Sequence, residues 1–247
     1  MKLRMQRAFS TVAIVFSVTA AASAQTSNPL PSVNDVVAKM MQSDAQRQSE
    51  LAGYTAMRRY IAVNNGRHAE MLVHVACDKS GAKEFSIVSE DGSGSIRKHV
   101  FHKMLSEESE ASRHGTRNST RITPANYDFQ FVGKDTLDTG PAYILEISPR
   151  TENKYLIRGR IWVNANDYSI VRIEGQPARN PSFWVEDAHF VHTYQKVGQF
   201  WLASSTRTTS EIRIFGDSEL TIENSDYKLT SPVDYASDSD NQARLNP

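Results

Sequence analysis

The sequence predicts a mainly β fold, α+β in class: a curved antiparallel sheet or incomplete β-barrel of about ten strands, capped by two amphipathic helices. Three observations carry this. About ten stretches alternate apolar and polar residues with period two and are rich in β-branched and aromatic side chains. They follow one another through short breaks, and strands joined so tightly must be antiparallel, because a parallel crossover needs a dozen or more residues. Only two segments have helical period.

The first helix is expected near Ser32, where Pro31 precedes a Ser32/Asp35 pair of the capping-box kind. Val33, Val36, Val37, Met40 and Met41 then share one face. The second is expected near Ser95, with Ile96, Val100, Phe101, Met104 and Leu105 on one side and Lys98, Lys103, Glu107 and Glu108 around the other. The strands are read as Tyr54 to Val63, Ala69 to Cys77, Lys83 to Ser89, Tyr127 to Val132 and Ala142 to Ser148. Tyr155 to Val163, Ser169 to Glu174, Phe183 to Val197, Phe200 to Phe215 and Glu219 to Leu229 complete the set. Asn65-Gly66, Asn166-Asp167, Gly198-Gln199 and Gly216-Asp217 mark the breaks, where turns take positive φ or side-chain caps.

A sheet of this width is too large for its own side chains to fill if it closed, since about eight strands already reach that limit. Two amphipathic helices across the concave side would supply the filling and leave an apolar space of undetermined size. Such a space suits an acyl chain, which at about 0.8 kcal/mol per buried CH₂ does not travel through water unshielded. Complete filling by side chains is the competing reading.

Lys2, Arg4 and Arg7 precede the uncharged, largely apolar run Ala8 to Ala22, and Ala22-Ser23-Ala24 supplies the small residues of a signal-peptidase site. Residues 1–24 are therefore expected to be a signal peptide cleaved after Ala24, giving a periplasmic or secreted protein that begins at Gln25. No cysteine follows that bond, and no later stretch approaches the roughly 20 apolar residues of a spanning helix. Cleavage removes three positive charges and no negative ones, leaving 25 basic against 28 acidic residues. A mildly acidic chain without a basic run argues against a nucleic-acid partner. The single cysteine, Cys77, lies near the end of an apolar strand and is expected to act as a small hydrophobe. Residues 25–230 are expected to form one domain, and the polar stretch 231–247 a flexible tail.

The chemical motifs are weak. Gly216-Asp217-Ser218-Glu219-Leu220 has the spelling of the GDSL esterase nucleophile block but lies late, between two strands, where a hairpin turn explains Gly, Asp and Ser. His99/His102 and His189/His192 are HxxH pairs; the second falls on a strand, where residues three apart point to opposite faces. Neither is joined by an HExxH or CxxC motif, so no metal ligand and no cofactor is assigned. Asn118-Ser119-Thr120 fits a glycosylation acceptor, a common triplet. The carboxylates Glu107-Glu108, Glu110, Glu186-Asp187 and Asp226 have no spacing that marks a general acid and base, so no catalytic residue is assigned and the chain is read as a non-enzyme.

Several strand sequences carry a family resemblance: Tyr127-Asp128-Phe129-Gln130-Phe131-Val132-Gly133-Lys134, Pro141 to Pro149, Gly159-Arg160-Ile161-Trp162-Val163-Asn164, Asp167 to Gly175, and Phe200-Trp201-Leu202-Ala203. Together they resemble LolA-like proteins, the periplasmic lipoprotein-sorting proteins and their secreted relatives, over most of residues 30 to 230. The resemblance implies a helix-capped incomplete barrel whose interior, in carrier members, holds the acyl chains of a lipoprotein. Related folds also serve as lipid carriers and as sensors of mislocalised envelope lipoproteins. The leading expectation is thus a periplasmic carrier or binder of lipids or lipoprotein acyl chains, with transient membrane contact and a cavity lined by Met40, Met41, Val100, Phe101, Met104 and Leu105. The alternative is an envelope protein-interaction or stress-sensing module without transfer activity. An outer-membrane barrel is a third reading, poorly suited to two inserted amphipathic helices and a polar tail.

Overall fold

A computed structural model describes residues 30–113, 119–153, 155–179, 185–212 and 216–230. The expected signal peptide and tail, and Asn118 of the glycosylation triplet, lie outside them. Helix α1 (Val33–Glu50) starts where the cap sequence places it. Ser32 Oγ accepts the Asp35 backbone N–H at 3.1 Å and donates to the Asp35 carboxylate at 2.7 Å. Val36, Val37 and Met40 form its buried stripe.

Ten strands follow: β1 (Tyr54–Asn64), β2 (Arg67–Cys77), β3 (Lys83–Gly92), β4 (Tyr127–Leu137), β5 (Gly140–Pro149), β6 (Ile157–Asn164), β7 (Ile170–Pro177), β8 (Val185–Val197), β9 (Phe200–Ile212) and β10 (Gly216–Leu229). Each expected stretch overlaps one of them, and Phe183, Trp184 and Arg213 to Phe215 of the expected strands lie outside the described residues. All adjacent pairs are antiparallel, in the order β3-β2-β1-β10-β9-β8-β7-β6-β5-β4. From β4 to β10 the sheet is a meander, and the first hairpin joins it through β1 on β10, with Tyr54 opposite Leu229 and Asn64 opposite Ser218. β3 and β4 remain the two edges, so the barrel is incomplete. The GDSL-like residues enter β10, with Gly216 at φ +68° opposite Ile212, which is hairpin geometry.

The second helix links those edges in sequence. It comprises Gly94–Ile96, a π-wound segment Arg97–Phe101 and His102–Ser112; the whole, residues 94–112, is called α2 here. The π segment corrects the expected stripe. A π turn holds one residue more than an α turn, so Phe101, five residues after Ile96, returns to the same side. Ile96, Phe101 and Leu105 are buried with Met104 packed on them, whereas Val100 turns outward and is 37% exposed. Glu108, expected on the solvent side, faces inward instead, against Arg58 and Lys83.

The helices cover different halves of the sheet. Val36, Val37 and Met40 of α1 pack with Tyr127, Leu145, Ile147, Ile161, Val163 and Ile173 over β4–β7. Ile96, Phe101 and Leu105 of α2 pack with Tyr60, Ala62, Ala69, Met71, Val73 and Val75 over β1 and β2. On the opposite face of β6, Trp162 alternates with Ile161 and Val163 and joins Ala142, Val171 and Trp201. Strands β6 and β7 approach closely at Gly159 and Gly175, where a Cβ would lie 2.1 Å from the Glu174 carbonyl oxygen or 2.3 Å from that of Arg158.

The π-shifted stripe has a direct test. Phe101→Ala should destabilise the protein by about 3 kcal/mol or more through loss of a fully buried ring, while Val100→Ser should stay within about 0.5 kcal/mol as a surface change. Urea unfolding of the two variants measures both; equal losses would mean that Val100 packs in the core.

Candidate functional site

Between the two packed halves lies a cavity of about 720 Å³. Its floor is the middle of the sheet, where β8, β9, β10 and β1 present polar side chains inward: His192, Thr206, Asn224 and Arg58. Met40, Met41, Ile173, Leu202 and Ile222 are among its apolar lining. The C-terminal half of α1 contributes Asp44 and Arg47, and that of α2 contributes Glu108.

The walls and floor meet in two charge clusters. In the first, Arg58 sits on β1 with only 7% of its side chain exposed. Its Nε donates to Asn224 Oδ1 at 2.7 Å, and its Nη1 donates to Tyr60 Oη at 3.2 Å and to Glu108 Oε2 at 2.8 Å. Lys83 Nζ donates to the other Glu108 oxygen at 2.6 Å. Burial alone would raise the Glu108 pKa; the charges and hydrogen bonds of Lys83 and Arg58 outweigh it and hold the carboxyl below its usual range. In the second cluster, Asp44 accepts from Arg47 at 2.9 Å and also from Arg121. Burial again opposes ionisation of Asp44, and the two guanidinium groups overcome it.

His192 lies against the first cluster and hydrogen-bonds Thr206 Oγ1. Burial foremost, then the positive charges of Lys83 and Arg58, push its pKa down to about 4, against a smaller opposing effect of Glu108. It is neutral at pH 7. His189, three residues earlier, is exposed, as strand alternation requires. In the other HxxH pair, His102 contacts Glu90 and His99 is exposed. Among the described residues no group of three or more His, Cys, Asp or Glu side chains is placed to hold a metal ion.

Of the six residues expected to line an acyl site, Met40 and Met41 border the cavity. Phe101, Met104 and Leu105 pack in the α2 core, and Val100 faces out. Cys77 also borders the cavity, half-buried at the end of β2 rather than sealed in the core. Sequence reasoning missed the inward charges of Arg58, Lys83 and Glu108. One signal was present: Arg58 shares its strand parity with Ala56, Tyr60 and Ala62, all buried.

No protein-family model matches the chain, and no curated protein matches it. Among solved structures it is similar to a DUF1329 family protein from Desulfovibrio piger, at 14% identity and TM-score 0.44, over 81% of this chain and 94% of that one. It is also similar to an outer membrane lipoprotein-sorting protein domain from Vibrio parahaemolyticus, at 11% identity and TM-score 0.42, over 78% and 92% of the two chains. A third is a LolA superfamily protein from Nitrosomonas europaea, at 8% identity and TM-score 0.39, over 82% and 95%.

The buried histidine makes stability pH-dependent. Because its pKa is lowered on folding, the unfolded chain takes up a proton near pH 6.5 and the folded chain only near pH 4. Stability should therefore fall as pH drops through that window, by up to about 3 kcal/mol. Contributions from Asp44 and Glu108, whose pKa values are also lowered, begin to be lost at the acid end of this window, as pH reaches the ordinary carboxylate range, and continue to be lost below it. His192→Gln should flatten the pH 6.5–4 limb of a thermal-unfolding series; an unchanged slope would place the titration elsewhere.

Proposed function

We propose that the protein is a periplasmic or secreted binder of lipid acyl chains, holding them in the space between α1, α2 and the middle of the sheet. The observation that carries this reading is the 720 Å³ cavity left where two separate cores meet. Its volume is within the roughly 300–1,000 Å³ of sites that take small organic ligands. The two methionines at its border offer adaptable apolar contact, suited to a flexible chain. Delivery of such a ligand would bring transient contact with a membrane. The polar side chains of the floor are hydrogen-bonded or ion-paired to one another, an arrangement suited to orienting a ligand, and the reading is of a binder rather than an enzyme.

Protein beginning at Gln25, exported to a bacterial envelope and purified without detergent, should yield lipid in molar proportion to protein when its organic extract is analysed by mass spectrometry. Ala203→Trp, placing a large ring at the cavity border, should lower that yield severalfold while leaving the unfolding temperature near that of the parent. Absence of lipid, persisting after incubation with phospholipid vesicles, would contradict the proposal and favour an envelope protein-interaction module.

A further inference from the structure

The two charge clusters bear on what kind of amphiphile fits. Each has the same composition, one carboxylate shared by two cations: Glu108 between Arg58 and Lys83, and Asp44 between Arg47 and Arg121. Each therefore carries one surplus positive charge. Among the described residues, the remaining charged lining residues, Lys79 and Asp78, offset each other, so this lining is positive in a chain whose residues from Gln25 onward have more acidic than basic groups. His192 adds no charge at neutral pH.

Without ligand, water in the cavity can solvate the surplus. An acyl chain entering the same space expels that water, and an uncompensated charge left in a low-dielectric site is strongly unfavourable. The penalty falls hardest on the first cluster, where the Arg58 and Lys83 side chains are only 7% and 26% exposed, against 34% and 31% for Arg47 and Arg121. A ligand that brings its own negative group removes it.

Resting on the acyl-binding reading above, we propose that the ligand is an anionic amphiphile, a single acyl or alkyl chain bearing a carboxylate or phosphate head. The head pairs with Lys83 and Arg58 beside Glu108, and the chain runs along Met40, Met41 and Ile173 toward α1. A charged head there accepts hydrogen bonds from ammonium and guanidinium donors, the strong charge-assisted kind. Asn224 and Tyr60 hold the Arg58 guanidinium in place beforehand, so little side-chain ordering is left to the binding step.

The test is calorimetric titration of delipidated protein beginning at Gln25 with dodecanoate, dodecyl phosphate, dodecanol and inorganic phosphate. The proposal expects at least one anionic amphiphile to bind about tenfold or more tightly than dodecanol, the advantage of a buried charge-assisted contact. The tighter of the two names the head group. Lys83→Gln, which cancels the surplus charge of the cluster, should weaken the anion without weakening dodecanol and so reduce that ratio to about threefold or less, and Lys83→Arg should restore it. Equal binding of dodecanol and both anions would overturn this inference while leaving the acyl cavity standing. Failure of every alkyl compound to bind would overturn the cavity reading and this inference with it. Saturation by millimolar inorganic phosphate that alkyl compounds do not compete away would assign the cluster to a small free anion and overturn the proposal. Equal loss of dodecanol and anion affinity in Lys83→Gln would reduce Lys83 to a structural role and overturn it as well.

Discussion

Pairing of β1 with β10 joins two parts of the chain that could otherwise stand apart. Without that ladder, the β1–β3 hairpins with α2 and the β4–β10 meander with α1 would each have an unpaired edge and half a cover. Closing it brings Arg58 next to Asn224 across a sequence separation of 166 residues. Loop-closure entropy grows only slowly with such a separation, and the ladder satisfies backbone groups along nearly the full length of both strands. The cavity is a direct consequence, since it lies over the strands that meet at this join.

Why those middle strands are polar on their inner side follows from where the helices sit. α1 and α2 each bury an apolar stripe over one half of the sheet, and a helix about 10 Å across cannot cover both halves. The uncovered centre would expose apolar surface to water if its inward residues were aliphatic. Thr206, His192, Asn224 and Arg58 stand there instead, and they hold one another. Arg58 also fastens α2 to β1 through Glu108, as Lys83 does from β3. Removing Glu108 would leave two cations facing each other in a half-enclosed space, where loss of one member of a buried pair costs more than the pair contributes.

Most of the fold was legible because it depends on periodicity, which is local. Ten period-two stretches became ten strands, and the Ser32/Asp35 pair capped α1 as its spelling indicated. Strand order was legible only in part: consecutive hairpins follow from short turns, but β1 on β10 is a pairing no local pattern encodes. The α2 stripe was misjudged only at Val100, because an α period was assumed through a π-wound turn, and the extra residue of that turn carries Val100 off the face shared by Ile96, Phe101 and Leu105. Arg58 was hidden by a neighbouring arginine: Arg58-Arg59 puts one guanidinium on each face, and only the buried Ala56, Tyr60 and Ala62 show which is inside. Arg59 pairs with Glu70 on the outer face, the ordinary place for such a side chain.

The central claim is that the space between the two cores is a ligand site rather than a packing gap. The most direct measurement is a crystal structure of the protein with 12-bromododecanoate, read from the anomalous signal of bromine. The account predicts one bromine peak between α1 and the floor of the sheet, near Ile173, with the carboxylate within hydrogen-bond reach of Lys83 or Arg58. A cavity closed by rearranged side chains, with bromine only on the outer surface or at a sheet edge, would contradict it.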